Sequence, residues 1–316
     1  AYPEIRKFLI NITDHAFGIG GGSFYDYSYE FREFGAQVSF DKRGFAPEQL
    51  LLLPYYPWLE EIPFQGFPVS VEGKVVLFSG SYLYKIDDKE DTFFHIVADI
   101  LKDNPNVTMF FAGGGDSDKL NELISREHLY DRFILLGNRT DIAAVFKHID
   151  IYIGTYPLGG GLMSQYAALS GKPIVAYKTY EVEKVVCNKN KKHFVYDSIE
   201  ELKDEVNHLT RDEKYRTEQG NEFKCLTASQ ADFRDRFLLL YSSLPGLNRP
   251  LKLDVDYDEH TKKHVSNLNN RKNFRLEREI WTVCRPAISW KMIMNVLLNI
   301  NVLSRFINGF SRKKTS

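Results

Sequence analysis

The chain has 316 residues, 43% of them hydrophobic and 14% aromatic, enough apolar material for a sizeable core and for two domains. A formal net charge of -1 excludes a nucleic-acid binder at whole-chain level. Cys187, Cys225 and Cys284 are too scattered for a CxxC metal site and form no disulfide framework, which implies a reducing compartment.

Phe8 to Thr13 reads as a strand running into Asp14-His15 and the glycine-rich loop Gly18 to Gly22. Gly18-x-Gly20-x-x-Ser23 lacks the third glycine of a dinucleotide fingerprint, and no acid stands about 20 residues on, so a nicotinamide site is rejected. A histidine beside an aspartate at a strand end is a candidate general base, because imidazole titrates near neutral pH. A loop histidine bonded to backbone is the plainer alternative. Tyr25 to Gly35 is aromatic and charged by turns, Gln37 to Phe40 has strand alternation, and Leu50 to Pro68 reads as a proline-rich connector.

A boundary near Gly66 to Glu72 follows, beyond which the pattern turns regularly βαβ. Strands are expected at Val75–Ser79, Val107–Ala112, Phe133–Leu136, Ile151–Ile153 and Ile174–Ala176, with helices at Thr92–Leu101, Lys119–Glu127, Ile142–His148 and Leu162–Ser170. This order implies a parallel sheet with right-handed crossovers. Ser198, with Glu201 three residues on, opens an amphipathic helix to Leu209, and Arg211 to Tyr241 reads as one or two surface helices.

In such a sheet ligands bind outside the carboxyl ends of the strands. The exit loop Gly80-Ser81-Tyr82-Leu83-Tyr84-Lys85, the turn Gly113–Gly115, the segment Gly137-Asn138-Arg139-Thr140 and the stretch Tyr156 to Ser164 should therefore share one rim. Lys85 can set an ammonium on a diphosphate, and Arg139 and Thr140 offer a guanidinium and a hydroxyl. Gly159, Gly160 and Gly161 let backbone N–H groups approach an anion at the positive end of a helix that also carries Ser164. A tight strand-to-helix turn without a ligand is the alternative for the glycines, and a solvated loop lysine the alternative for Lys85.

Leu83-Tyr84-Lys85-Ile86-Asp87, the helix end Ile100-Leu101-Lys102, Asn104-Pro105-Asn106, Tyr156-Pro157-Leu158-Gly159-Gly160 and Gly171-Lys172-Pro173 resemble the donor domain of O-linked N-acetylglucosamine transferases and of bacterial adhesin-modifying N-glycosyltransferases. Asp14-His15-Ala16-Phe17 and Phe31-Arg32-Glu33-Phe34-Gly35 are similar to the end of the acceptor domain in the bacterial relatives. The resemblance runs from Lys7 to Tyr241. It implies an α/β fold of the GT-B type, two facing Rossmann-like domains with a nucleotide sugar between them and no metal or other cofactor. On that likeness residues 1–68 are a partial acceptor-side segment, 69–245 the donor domain and 246–316 a helical extension. Gly80, Ser81, Tyr82, Gly137, Asn138, Arg139, Thr140, Gly159, Gly160, Gly161 and Ser164 would hold the donor, Lys85 would offset the leaving diphosphate, and His15 with Asp14 would face the reacting sugar. Tyr166 stands where the family has its ribose-binding carboxylate, and Ile142 where it has a base-side histidine. The two-glutamate motif of retaining enzymes is absent, with Leu158 and Tyr166 in its positions; inversion rests on the likeness alone.

Three sequons, at Asn11, Asn106 and Asn138, are read as chance matches, and Asp254-Val255-Asp256 as a solvated acidic turn rather than a metal-binding DxD. From Leu251 onward 13 Lys/Arg face 6 Asp/Glu. Pro286 to Phe310 is amphipathic with a basic end, so 286–314 is expected to contact a membrane surface or protein, the missing acceptor side or a second subunit. The expected activity is transfer of a hexose or N-acetylhexosamine from a UDP-sugar to a glycan or protein acceptor, in the cytoplasm or at the inner face of its membrane. The alternatives are a catalytically silent partner of another transferase and a nucleotide-sugar epimerase.

Overall fold

The computed structural model describes residues 6–11, 24–53, 60–179 and 193–243. Asp14, His15, the Gly18–Gly22 loop, Asp254–Asp256 and the Pro286–Phe310 stretch lie outside the described residues.

A first, small sheet is built from β1 (Phe8–Asn11), β2 (Tyr27–Glu30) and β3 (Leu50–Leu52), in that order and all parallel. Helix α1 (Glu33–Arg43) connects β2 towards β3. Here the structure corrects the sequence reading, which put a strand at Gln37–Phe40 and a connector from Leu50. Val38 and Phe40 alternate as in a strand, but Ala36, Ser39 and Arg43 are buried together at helical spacing while Phe40 is exposed. Gly44 then stops the helix in the left-handed conformation, φ 76°.

What draws α1 onto the sheet is a buried carboxyl. Glu30, fully buried, accepts hydrogen bonds from Asn11 Nδ2 at 2.7 Å, Ser28 Oγ at 2.7 Å and Ser39 Oγ at 2.5 Å. One side chain thereby ties β1, β2 and α1. Burial raises its pKa, against the pull of those three donors and of Arg43. A raised carboxyl contributes stability that is complete below the unfolded value of about 4.3 and is lost as the pH rises through the folded one. Glu30→Gln, whose amide does not titrate but whose nitrogen cannot accept these bonds, is therefore expected to compare better with the parent protein at pH 7 than at pH 4, as melting curves at the two pH values will show.

The second sheet has six parallel strands, β4 (Val75–Gly80), β5 (Val107–Ala112), β6 (Phe133–Gly137), β7 (Ile151–Ile153), β8 (Ile174–Tyr177) and β9 (Val195–Tyr196). Their order is β6-β5-β4-β7-β8-β9. Counted from β4, this is the 3-2-1-4-5-6 order of a doubly wound sheet, whose order reverses between the first and fourth strands. Those strands are β4 and β7.

Helices α2 (Thr92–Asp103), α3 (Asp118–Arg126) and α6 (Ile199–Arg211) bury their apolar stripes on one face of this sheet, with Phe93, Val97, Leu123 and Val206 in a common core. On the other face α4 (Ile142–Lys147), α5 (Gly161–Leu169) and α7 (Glu213–Leu226) cover Phe78, Phe110 and Tyr152. Ser198 caps α6 as its sequence implies, its hydroxyl accepting from the Glu201 N–H at 3.3 Å. Phe64, Phe67, Val69 and Val71 pack into this second core, and the Phe67 ring lies parallel to Phe110 at 4.1 Å.

The last described helix, α8 (Gln230–Ser243), returns to the first sheet. Leu240, Phe233 and Phe237 meet Tyr29, Leu51 and Leu53 there, and Phe8 stands between Tyr27, Tyr29 and Tyr241. Both sheets are therefore held by one chain that crosses twice.

Candidate active site

At the reversal of strand order, two neighbouring connections leave in opposite directions and open a crevice between the tips of β4 and β7. The chain fills the two sides of that crevice with a lysine and a glycine turn. From β4 the chain enters a 3-10 turn at Leu83–Ile86, which buries Leu83 and Ile86 and sets Lys85 towards β7. Lys85 Nζ donates to the Gly159 carbonyl at 3.4 Å, and its own carbonyl accepts from Leu158 N–H at 3.2 Å. The lysine thus grips the glycine turn with both backbone and side chain.

The neighbouring tips are laced to one another by main-chain hydrogen bonds. Ser81 N–H reaches Ala112 O at 3.0 Å, Leu83 N–H reaches Gly114 O at 2.9 Å, and Gly113 N–H reaches Gly137 O at 2.8 Å. Such close backbone contact demands glycine: a Cβ on Gly113, whose φ is +156°, would stand 1.6 Å from the Ser81 carbonyl oxygen. The four loops expected on one rim do share it.

The glycine turn is also close-packed from below, though less tightly. A Cβ on Gly160 would lie 3.2 Å from Thr155 Oγ1, 3.3 Å from the Tyr152 hydroxyl and 3.5 Å from Gly80 O. Gly160 caps α5 without any side-chain acceptor, so the first-turn N–H groups of that nine-residue helix find no partner within it. Together with the Lys85 ammonium they make a site suited to an anion.

Other predicted residues have different roles. Ser164 is buried and its hydroxyl bonds back to Gly160 O at 3.2 Å, steadying the helix start. The Tyr82 ring projects outwards, 63% exposed, while its carbonyl accepts from Ser81 Oγ at 2.9 Å. Asn138 is exposed and lies against Gly114. Gly137 adopts φ +65° in the turn after β6.

Arg139 requires a correction. Its guanidinium, expected to be a phosphate donor, makes a two-pronged ion pair with Asp141, Nε to Oδ1 at 2.7 Å and Nη2 to Oδ2 at 2.6 Å, and donates to Gly66 O at 2.9 Å. Gln65 completes the knot, its N–H on Asp141 Oδ2 at 2.8 Å and its amide on Thr140 Oγ1 at 3.0 Å. This pair fastens the incoming segment to the rim. The acid two residues beyond the arginine was the available signal, since a bidentate carboxylate is the preferred partner of a guanidinium.

Arg139 holds the Asp141 carboxyl below the usual range. Its contribution to stability is present above the unfolded value of about 3.9 and is lost only as the pH falls through the lower folded one. Asp141→Asn is expected to cost about 3–5 kcal/mol at neutral pH by stranding a buried guanidinium, with the deficit shrinking only in strong acid. Urea denaturation at pH 7 and pH 3 measures this.

Two of the positions where the sequence departs from its resemblance are partly buried. Tyr166 and Ile142 both pack against the core of the second sheet, the Tyr166 ring meeting Phe146 edge-on at 6.3 Å. Among the described residues no group of three or more His, Cys, Asp or Glu is placed to hold a metal ion. No described helix is long and apolar enough to cross a membrane.

Two parallel α/β units with a crevice at the strand tips of the larger one define the GT-B class. Residues 64–224 match the model of the family glycosyl transferases group 1, over half of the chain, and the chain belongs to that family. No curated protein matches it at a significant level. Among solved structures, TarM from S. aureus in complex with fondaparinux, alpha-GlcNAc-glycerol and UDP aligns with a TM-score of 0.59 at 14% identity, over 75% of this chain and 51% of that one. Anabaena Alr3699/HepE in complex with UDP and glucose aligns with a TM-score of 0.52 at 20% identity, over 71% and 64%. WaaG, a glycosyltransferase involved in lipopolysaccharide biosynthesis, gives 0.53 at 12%, over 73% and 64%. At these identities the likeness is one of fold. The chain spans between half and just under two thirds of the length of those structures.

Proposed function

We propose that this chain is a glycosyltransferase that moves a hexose or N-acetylhexosamine from a UDP-sugar to a glycan or protein acceptor without a metal. The observation that carries the reading is the approach of Lys85 Nζ to the Gly159 turn, 3.4 Å across the point where strand order reverses. A diphosphate at the mouth of this turn, taking the Lys85 ammonium over from the Gly159 carbonyl, would meet that ammonium, the N–H groups of the α5 first turn and the macrodipole behind them. These groups stabilise the departing nucleoside diphosphate as the anomeric bond breaks, where charge develops in the transition state. HepE and TarM, in complex with UDP, support the nucleotide. The narrower kinship with O-linked N-acetylglucosamine transferases, His15 assisted by Asp14 as the base, inversion and the division at residues 68 and 245 all belong to this proposal. So do a cytoplasmic location and the contact through 286–314.

A second reading has its own observations. Tyr166 and Ile142 pack into the core, and Arg139 is bound to Asp141, so a partner that keeps the GT-B shape to serve another transferase would also look like this. Incubating the chain with UDP-glucose, UDP-galactose and UDP-N-acetylglucosamine, with and without EDTA, separates the readings. Slow donor hydrolysis that survives EDTA is expected; absence of hydrolysis of every donor favours the silent partner. Hydrolysis abolished by EDTA contradicts the metal-independent mechanism.

A further inference from the structure

Four hydroxyls gather beneath the glycine turn, and two of them are committed to its carbonyls. Thr155 Oγ1 donates to the Leu158 carbonyl at 2.7 Å and Ser164 Oγ to the Gly160 carbonyl at 3.2 Å. The carbonyl between these two, that of Gly159, takes the Lys85 ammonium at 3.4 Å instead. The other two hydroxyls, Tyr152 Oη and Ser79 Oγ, are buried without a hydrogen-bond partner among the described residues. Tyr152 Oη stands 3.3 Å from where a Gly160 Cβ would lie, with the Ser79 and Ser164 hydroxyls beside it. Its ring sits in the middle of β7, wholly buried near Phe78 and Phe146, with centroids 6.5 Å and 5.9 Å away. A phenylalanine would pack there as well, as Phe78 does in the neighbouring strand. The hydroxyl adds nothing to that packing, and a polar group left alone in an apolar core lowers stability.

We propose that Tyr152 is a positioning residue of the donor site, whose hydroxyl bonds the glycine turn when a bound diphosphate draws the Lys85 ammonium away from it. The role rests on the glycosyltransferase reading. An ammonium that turns to a phosphate leaves the Gly159 carbonyl without its donor, while the Thr155 and Ser164 hydroxyls are already engaged by the carbonyls on either side. Of the two uncommitted hydroxyls, that of Tyr152 is the one that reaches Gly160. Burial pushes the phenol pKa up, so its proton is in place as a donor across the working pH range. Held from below, the turn keeps its carbonyls inward and the first N–H groups of α5 on the anion. A contact made only in the loaded state adds to ligand affinity and not to the stability of the empty chain, because a ligand shifts an equilibrium only through differential interactions. The same hydroxyl therefore weakens the empty protein and strengthens the loaded one.

The test compares the full chain with Tyr152→Phe and Thr108→Val, in thermal melts without ligand and in isothermal titration with UDP. Thr108 is the control: its hydroxyl is also buried without a partner, but it lies near the start of β5, away from the rim. Both variants should melt at or above the temperature of the parent chain, because each loses a buried hydroxyl that bonds nothing. UDP affinity should fall about fivefold in Tyr152→Phe, the worth of one hydrogen bond, and stay unchanged in Thr108→Val. Parent-like UDP affinity in Tyr152→Phe, or an equal loss in Thr108→Val, overturns the role of Tyr152 while the donor reading stands. A Tyr152→Phe chain that melts earlier without UDP puts the hydroxyl to use in the empty fold and overturns the role too. Failure of the parent chain to bind UDP overturns the donor reading, and with it this role.

Discussion

Gly113→Ala is expected to lower stability by about 4 kcal/mol and to abolish UDP binding in the same step. The side chain has nowhere to go. Its Cβ would stand 1.6 Å from the Ser81 carbonyl oxygen, a backbone atom that no rotamer change can move, in a residue whose φ of +156° already disfavours any L side chain. Relief requires parting the tips of β4 and β5, and with them the Ser81–Ala112 and Gly113–Gly137 hydrogen bonds that align the rim. Gly137→Ala is the matched control. Its φ of +65° is also left-handed, but nothing lies within 4 Å of a Cβ there, so only the conformational cost of about 1–2 kcal/mol applies. Thermal melts of the two variants, with a UDP titration of each, should differ sharply; similar melts would mean the loops are not laced as described.

Lys85→Met is the second large effect, and its signature is the reverse. Methionine keeps most of the aliphatic stem, and the Lys85 main chain retains its bonds to Tyr82 and Leu158, so the melting temperature should hold within a few degrees. Donor turnover should fall about 100- to 1000-fold, the usual loss when one preorganised group facing transition-state charge is removed. Lys85→Arg should recover part of it, because the positive charge returns with a different reach. A variant that melts early and loses turnover only in proportion would show that the lysine serves the glycine turn and not a phosphate.

The second sheet was the legible part of the chain. Its strands are apolar on both faces, as in Val75–Gly80 and Val107–Ala112, so each reads as an unbroken hydrophobic run between turn residues. Its helices have narrow apolar stripes and clear stops such as Gly171 before Pro173, and their ends fall within two residues of the sequence reading. In the first sheet β1 was legible as an apolar run, and β2 and β3 were hidden for the opposite reason. Tyr27-Ser28-Tyr29-Glu30 looks like an exposed polar stretch, because the buried Glu30 is satisfied by Asn11 and Ser39, residues 19 and 9 positions away. Nothing local announces that a carboxylate is going inside. The short β9 (Val195–Tyr196) was missed because two residues carry no periodicity.

At the rim, backbone roles were readable and side-chain roles less so. Glycines report where main chains must come close, and Gly113 and Gly160 stand at such places. Arg139 and Ser164 offered chemistry in the sequence that the fold uses elsewhere, one on Asp141 and the other on the Gly160 carbonyl. A donor's identity in a list of residues does not say whether a nearer acceptor will claim it.

The central claim is that Lys85 and the Gly159–Gly161 turn together hold two linked phosphates, and titrating the chain with UDP addresses it most directly. The account predicts saturable one-to-one binding that weakens at least about tenfold in Lys85→Met, the change expected when one charge-assisted hydrogen bond is lost. No heat of binding, or the same affinity in both proteins, would contradict it.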